Sequence, residues 1–428
     1  MELKAGYKKT EAGVIPAGWQ VCGITDICSD IFLGLTTKVD YVKSGGVPLV
    51  RAKDINSGRL LFDDTLQISK RQHQELTKYR RANKGDVLVS KSGTLGICAL
   101  VDTDTEFSIY ESIIVMKSNT ATCDSRFLLW LMRFEATQDR LLEETVGSTV
   151  GHLNLLNFRK LVVPIPKMEE QKAIAAALSD VDSLITALDR LIAKKRDIKQ
   201  AAMQELLTGK RRLPGFSISS EWVVKLLDDL FDFSGGFSAS RDQLSTEGHC
   251  YLHYGDIHMS KKTFIDVRSE QQDIPKLDIP LKRVSPVSLL GDGDVVFVDA
   301  SEDEEGTSKH VVFINKEKIP FISGLHTIIA KSKTSELDHQ YLRYCFQTAD
   351  IKRQFRFFAV GTKVLGISKT NIARVMLRIP SLLEQNAIAA ILSDMDAEIA
   401  VLEARREKTR ALKQGMMQEL LTGRIRLT

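Results

Sequence analysis

The segment MQELLTGKRRL, residues 203–213, returns 214 positions later as MQELLTGRIRL, residues 417–427. Neither helix nor loop propensity calls for such a repetition, so it points to a duplicated structural unit. At the same offset, without a gap, residues 170–213 match 384–427 at 25 of 44 positions. The correspondence runs backwards through PIP (164–166) against RIP (378–380), VGSTV (146–150) against VGTKV (360–364), and IIVMKS (113–118) against TIIAKS (327–332). A fold written twice must bury two cores, and 428 residues are enough for two or three domains.

Further upstream the offset changes and the halves diverge. Trp19 still aligns with Trp222, Asp54-Ile55 with Asp256-Ile257, and GDVLV (85–89) with GDVVF (293–297). Between these anchors residues 50–110 and 250–325 share little. A constant frame around variable inserts is the pattern of two copies that recognise different things.

After Pro166 and Pro380 the duplicated segment reads as helix. Ile174, Leu178, Val181, Ile185, Leu188 and Ile192 step by three and four, as do Ile388, Leu392, Met395, Ile399 and Leu402. Gly209 and Gly423 supply stop signals. Each helix is about 40 residues and ~60 Å long. Two such helices, each with one apolar stripe, most simply pack on each other, and an antiparallel pair would relate the halves by a pseudo-twofold axis. Before each helix, KGDVLVSKSGTLGICALV and GDGDVVFVDASEDEEGTSKHVVFI are rich in strand residues, while 125–141 and 339–355 read as short amphipathic helices. The expected architecture is α+β: a strand-rich mixed α/β domain (1–166), a long helix (167–210), a second such domain (211–380) and a second long helix (381–428).

The charge balance is +4 with a pI of about 8.6, which permits a nucleic-acid partner without requiring one. The six cysteines form no CxxC pair, so free thiols in a reducing cytoplasm are expected rather than disulfides or structural zinc. No apolar run approaches a membrane span, and the N-terminal residues do not read as a signal peptide. His249 and His253 share a face of an expected strand but lie ~13 Å apart, too far to share an ion, with His258 on the other face. No metal is expected.

Taken in order, GVIPAGW, GDVLVSKSGTLG, PIPKMEEQKAIAAAL and MQELLTGKRRLPGF, with the helix entry and exit recurring in the second half, give the chain its family likeness. It resembles the specificity subunits of type I restriction–modification systems over essentially its whole length. The resemblance implies two target recognition domains held apart by two antiparallel helices, each domain reading half of a split, asymmetric DNA sequence. It implies a subunit without an active site, serving DNA methylation and host defence. Two methyltransferase subunits using S-adenosylmethionine, and restriction subunits using ATP and magnesium, would be its partners. The residues agree on the negative side. The chain has no Asn/Asp-Pro-Pro-aromatic sequence for gripping a flipped adenine and no HExxH zinc signature. GTKVLGIS (361–368) lacks the Lys-Ser/Thr of a phosphate loop.

DNA contact asks for polar side chains on exposed loops and for Lys or Arg near phosphates. In the first domain the candidates are Arg51, Lys53 and Asp54 at a strand end, and Ser90, Lys91, Ser92 and Thr94 on a glycine turn. In the second they are His253, Tyr254 and Asp256, then Lys261 and Lys262, with Ser308 and Lys309 closing the acidic loop 301–309. The recurring Gly-Ser-Thr and Gly-Thr-Lys turns offer Ser148, Thr149, Thr362 and Lys363 for a shared task, backbone contact or a turn the fold needs. On the helices, Lys194, Lys195 and Arg196 belong to a basic stretch that would meet its counterpart across an antiparallel pair and face phosphates or an acidic partner. The repeated exits put Leu206, Leu207, Leu420 and Leu421 forward as docking points for two copies of one partner, with a core role the alternative. A duplicated coiled-coil adaptor that binds no specific DNA is the competing reading of the whole.

Overall fold

The computed structural model describes residues 5–143, 152–216, 221–260, 262–301, 306, 309–361 and 363–427. The chain forms two compact units, Met1–Arg190 with Glu403–Thr428, and Leu191–Leu402. Both boundaries fall in the middle of a long helix, Met168–Leu206 or Leu382–Leu420. Each helix has 39 residues, ~58 Å at 1.5 Å per residue. Each unit therefore holds one globular domain, the first half of the helix after it, and the second half of the other helix.

The two globular domains share a topology. In the first unit an antiparallel sheet runs Cys28–Leu33, Ile113–Ser118, Val87–Ser90, Cys98–Leu100. The second unit repeats it as Phe231–Gly235, Thr327–Ser332, Val295–Val298, His310–Ile314, and adds Phe264–Asp266 as a parallel edge strand. The central strands are buried on both faces and alternate between two cores. Val87, Val89, Ile114 and Met116 face the helices, while Leu88, Ile113 and Val115 face a second sheet. In the second unit Val295, Phe297 and Ile328 take the first role, and Val296, Val298 and Ile329 the second.

The second sheet contains the same parallel pair in both units. Val47–Val50 lies beside Ser108–Ile109, and His249–Leu252 beside Phe321–Ser323. The turn that leads from this pair to the central strand passes so close to the first strand's exit that only glycine fits. A Cβ on Gly34 would collide with the Tyr110 carbonyl, and one on Gly236 with that of Gly324. The GDV segments are likewise built alike. Asp86 accepts from the Asn83 N–H and pairs with Lys117 at 2.6 Å, while Asp294 accepts from the Gly291 N–H and pairs with Lys331 at 2.9 Å.

Within each unit the two half-helices run antiparallel. In the first, Asp182 meets Lys413 at 2.8 Å and Asp189 meets Arg406 at 3.2 Å, so partner numbers fall as residue numbers rise. In the second, Lys195 meets Glu398 at 2.6 Å and Lys199 meets Asp396 at 2.5 Å. Ile174, Leu178, Ile185, Leu188 and Ile192 are buried, as are Ile388, Leu392 and Ile399, in keeping with the spacing. The helices stop where expected, Gly209 and Gly423 taking φ of +69° and +72°.

The entries carry a recurring lock. Gln171 donates to the Pro166 and Thr122 carbonyls and accepts from the Asp124 N–H. Gln385 does the same with Pro380, Glu336 and Asp338. Two expectations need correction. Residues 125–141 and 339–355 are each two helices, Ser125–Arg133 then Glu135–Glu143, and His339–Cys345 then Ala349–Phe358. Phe134 turns extended to bury its ring, and Thr348 accepts from the Ile351 N–H to start a new helix. His249 alone of the three histidines lies in a strand; His253 caps the helix Tyr254–Met259, which contains His258. Among the described residues no helix is long and apolar enough to cross a membrane.

Candidate nucleic-acid interface

The strand Val47–Val50 ends at Arg51 and runs into the helical turn Ala52–Ile55. The Ala52 N–H donates to Ser112 Oγ at 3.1 Å, and the Lys91 N–H donates to the Ser112 carbonyl at 2.8 Å. Ser112 thus ties the Arg51 turn to the turn that carries Lys91, Ser92 and Thr94. The result is one ledge, built from the ends of both sheets, with those side chains at its surface.

The second unit builds the same ledge with other side chains. Leu252 ends its strand, His253 comes next, and the helix Tyr254–Met259 occupies the place of the Ala52 turn. His326 stands where Ser112 stands, immediately before the central strand. The Asp299 N–H donates to its carbonyl at 3.2 Å, as Lys91 does to Ser112. The Tyr254 ring lies 4.5 Å from His253 and 5.4 Å, edge-on, from His326. Arg241 approaches His253 Nδ1 at 3.5 Å, and that nitrogen also accepts from the Gly255 N–H. Burial, then the Arg241 charge, pushes the His253 imidazole below its usual pKa, so it stays neutral at pH 7.

The other expected contacts divide. Asp54 is buried, accepting from the Arg51 N–H at 2.8 Å and lying 3.4 Å from Lys53 Nζ. Ser90 is fully buried, with its hydroxyl donating to the Thr94 carbonyl and accepting from the Ile97 N–H. Both shape turns and are corrected from DNA contacts to structural residues. Lys53 is drawn to Asp64 at 2.8 Å and Lys262 to Glu270 at 2.5 Å. Lys309 donates to the His258 carbonyl, whereas Asp256 and Lys363 are exposed. Ser148, Thr149, Lys261, Ser308 and Thr362 lie outside the described residues.

On the helices, the four expected docking leucines are core. Leu206 and Leu207 pack in the second unit's main apolar cluster, and Leu420 and Leu421 in the first's. A side chain at 1–6% exposure has no surface left to offer a partner. The basic stretches, expected to meet, belong to different units, and each runs beside the carboxylates of the opposite half-helix. Lys195 is paired there with Glu398, while Lys194 is exposed.

Some exposed groups escaped the sequence reading. Arg241 and His326 lie far from His253 in sequence and only the fold joins them. In the first unit Tyr79 is 89% exposed between Lys78, Arg80 and Arg81. Its signal, an aromatic inside a basic run, was present in KYRR. Arg80 and Arg81 pair with Asp30 at 3.1 Å and Glu106 at 3.8 Å.

Known proteins repeat this architecture. The family described as the type I restriction modification DNA specificity domain matches residues 16–197 and again 219–409. A Methanocaldococcus jannaschii protein, named provisionally as the type I restriction enzyme MjaX specificity subunit, is 26% identical over 98% of this chain and 97% of its own. The MjaVIII specificity subunit of the same organism is 22% identical over 98% and 96%. The crystal structure of the type I restriction–modification system S subunit from M. genitalium superimposes with a TM-score of 0.56 at 14% identity, covering 98% of each chain. With two copies of the domain spanning nearly all its length, this chain belongs to the type I restriction–modification DNA specificity family.

Proposed function

We propose that this chain is the DNA-reading subunit of a type I restriction–modification complex, acting in the cytoplasm. One unit reads one half of a split, asymmetric target, and the other unit reads the second half about one helical turn away along the duplex. The observation that carries this is repetition with substitution. The same ledge stands in both units, with Arg51, Lys91 and Ser112 in one and His253, Asp299 and His326 in the other. A frame kept constant while its exposed side chains change in charge and shape suits two readers of different base sequences.

Arg51, Ser92 and Thr94 serve base edges in the first unit, and His253, Tyr254 and Asp256 in the second. Lys91, Lys363 and the Lys78–Arg81 run serve phosphates, and the 39-residue helices fix the unread gap. The chemistry belongs to partners: two methyltransferase subunits with S-adenosylmethionine, and restriction subunits with ATP and magnesium. With the four leucines buried, those partners meet exposed side chains around the helices, Lys194 among them. In support, a structure described as addressing complex assembly of the type I restriction–modification system matches this fold at a TM-score of 0.56 and 16% identity.

The test is selection. The full chain, assembled with its methyltransferase partner, is offered randomised duplexes and the bound fraction is sequenced. Two short blocks at a fixed gap are expected; one block, or none, would overturn the proposal.

A further inference from the structure

His326 combines three properties that its place in the fold does not require. It is one of two described non-glycine residues with positive φ, at 62°, a region where glycine or asparagine would cost less. It is exposed, so packing does not demand an imidazole there. It also occupies the position of Ser112, on an element shared by both units. In each unit this residue's carbonyl accepts from the hairpin, Lys91 N–H in one and Asp299 N–H in the other. In each it also touches the segment after the sheet's parallel pair, through the Ala52 N–H or the Tyr254 ring. The carbonyl's job is therefore common to both units, while the residue's φ and its side chain change.

We infer that the position held by Ser112 in the first unit and His326 in the second is a base-reading position, one for each half of the target, with Tyr254 and Asp299 positioning His326. This rests on the function proposed above and adds to it the specificity-determining residue of each ledge. Asp299 Oδ1 stands 3.4 Å from His326 Nδ1, and the Tyr254 ring lies across the imidazole edge-on. Flanked on those two sides, the ring is left with Nε2 to offer a base edge as a single donor or acceptor. The shorter Ser112 hydroxyl donates to or accepts from a different base.

The test uses the full chain assembled with its methyltransferase partner and randomised duplexes, comparing the natural chain with His326→Asn and Ser112→Ala. Asparagine tolerates the positive φ, so the turn is kept. For His326→Asn the selected bases should change at one or two positions of one half-site only, and affinity for the original sequence should fall roughly tenfold or more. Ser112→Ala should change the other half-site. Unchanged selections, or a weakening equal for all sequences as a phosphate contact would give, overturn the inference while the split-target reading stands. If the natural chain itself selects no split sequence, that reading fails first and the inference goes with it.

Discussion

Tyr341 and Thr137 are buried completely, and among the described residues neither hydroxyl has a hydrogen-bond partner. At the matching positions of the other half stand Phe127 and Ile351, both buried and apolar. Each half thus supplies the residue that would relieve the other. An unsatisfied buried hydroxyl costs on the order of 1 kcal/mol or more. Tyr341→Phe and Thr137→Val should therefore each stabilise the fold by about 1 kcal/mol, read as a higher urea midpoint without a change in slope. The thiols give a second expectation. Cys22 is the one cysteine of six that is not buried, and burial pushes the Cys28 and Cys98 thiols up to about 12. At pH 8 a thiol reagent should modify no more than Cys22 in the native protein and all six after denaturation. At this scale the sequence was a poor guide to the ledge. Asp54 and Ser90 look like any other loop polar group, and their backbone partners become visible only when the turn is closed. His326 directly precedes the matched block 327–332, so its equivalence to Ser112 is legible, but its neighbours Tyr254 and Asp299 are brought to it only by the fold.

The elements were more legible, because periodicity reports directly on which face of a helix is covered. The spacing of Ile174, Leu178, Ile185 and Leu188 located the first long helix to within a few residues of Met168–Leu206. Sheet pairing was not legible: the parallel partners 47–50 and 108–109 lie some 60 residues apart, and nothing local encodes that choice. The inter-helix ion pairs were hidden for the same reason. They recur as Lys413 with Asp182 and Lys199 with Asp396, but the surroundings differ. Asp396 also accepts from the Tyr344 hydroxyl at 2.8 Å, whereas Trp130, in Tyr344's place, donates to Ser179. Asp396→Ala strips two donors and Asp182→Ala one. A loss of roughly 1–3 kcal/mol is expected for the first and under about 1 kcal/mol for the second. Equal losses in denaturant titrations would show that the tyrosine hydroxyl adds nothing.

For the molecule as a whole, the repeated exit sequence is explained by the arginine three residues past each glycine. Arg426 grips Glu170 through two nitrogens, at 2.5 and 2.7 Å, and Trp19 Nε1 donates to the same carboxylate at 3.1 Å. Arg212 grips Glu384 at 2.5 and 2.6 Å, with Trp222 donating at 3.2 Å. In both units the end of one long helix is clasped to the beginning of the other, and the arginine lies over the tryptophan. The Glu, Gln, Arg and Trp common to both halves thus close each unit around its pair of half-helices, which is why these positions match while the ledges diverge. The clasps differ in burial. Arg212 and Glu384 are 8% and 1% exposed, Arg426 and Glu170 37% and 4%. Removing one partner of a buried pair costs about 3–5 kcal/mol, and solvent screening reduces this for an exposed cation. Arg212→Ala should therefore destabilise its unit by several kcal/mol, and Arg426→Ala its own by distinctly less. Because each clasp lies within one unit, each substitution should accelerate hydrogen exchange first in that unit: in residues 221–260 and 382–402 for Arg212→Ala, and in 5–33 and 168–190 for Arg426→Ala. Exchange rising equally in both units after either change would mean that the clasps act on the molecule as one cooperative body.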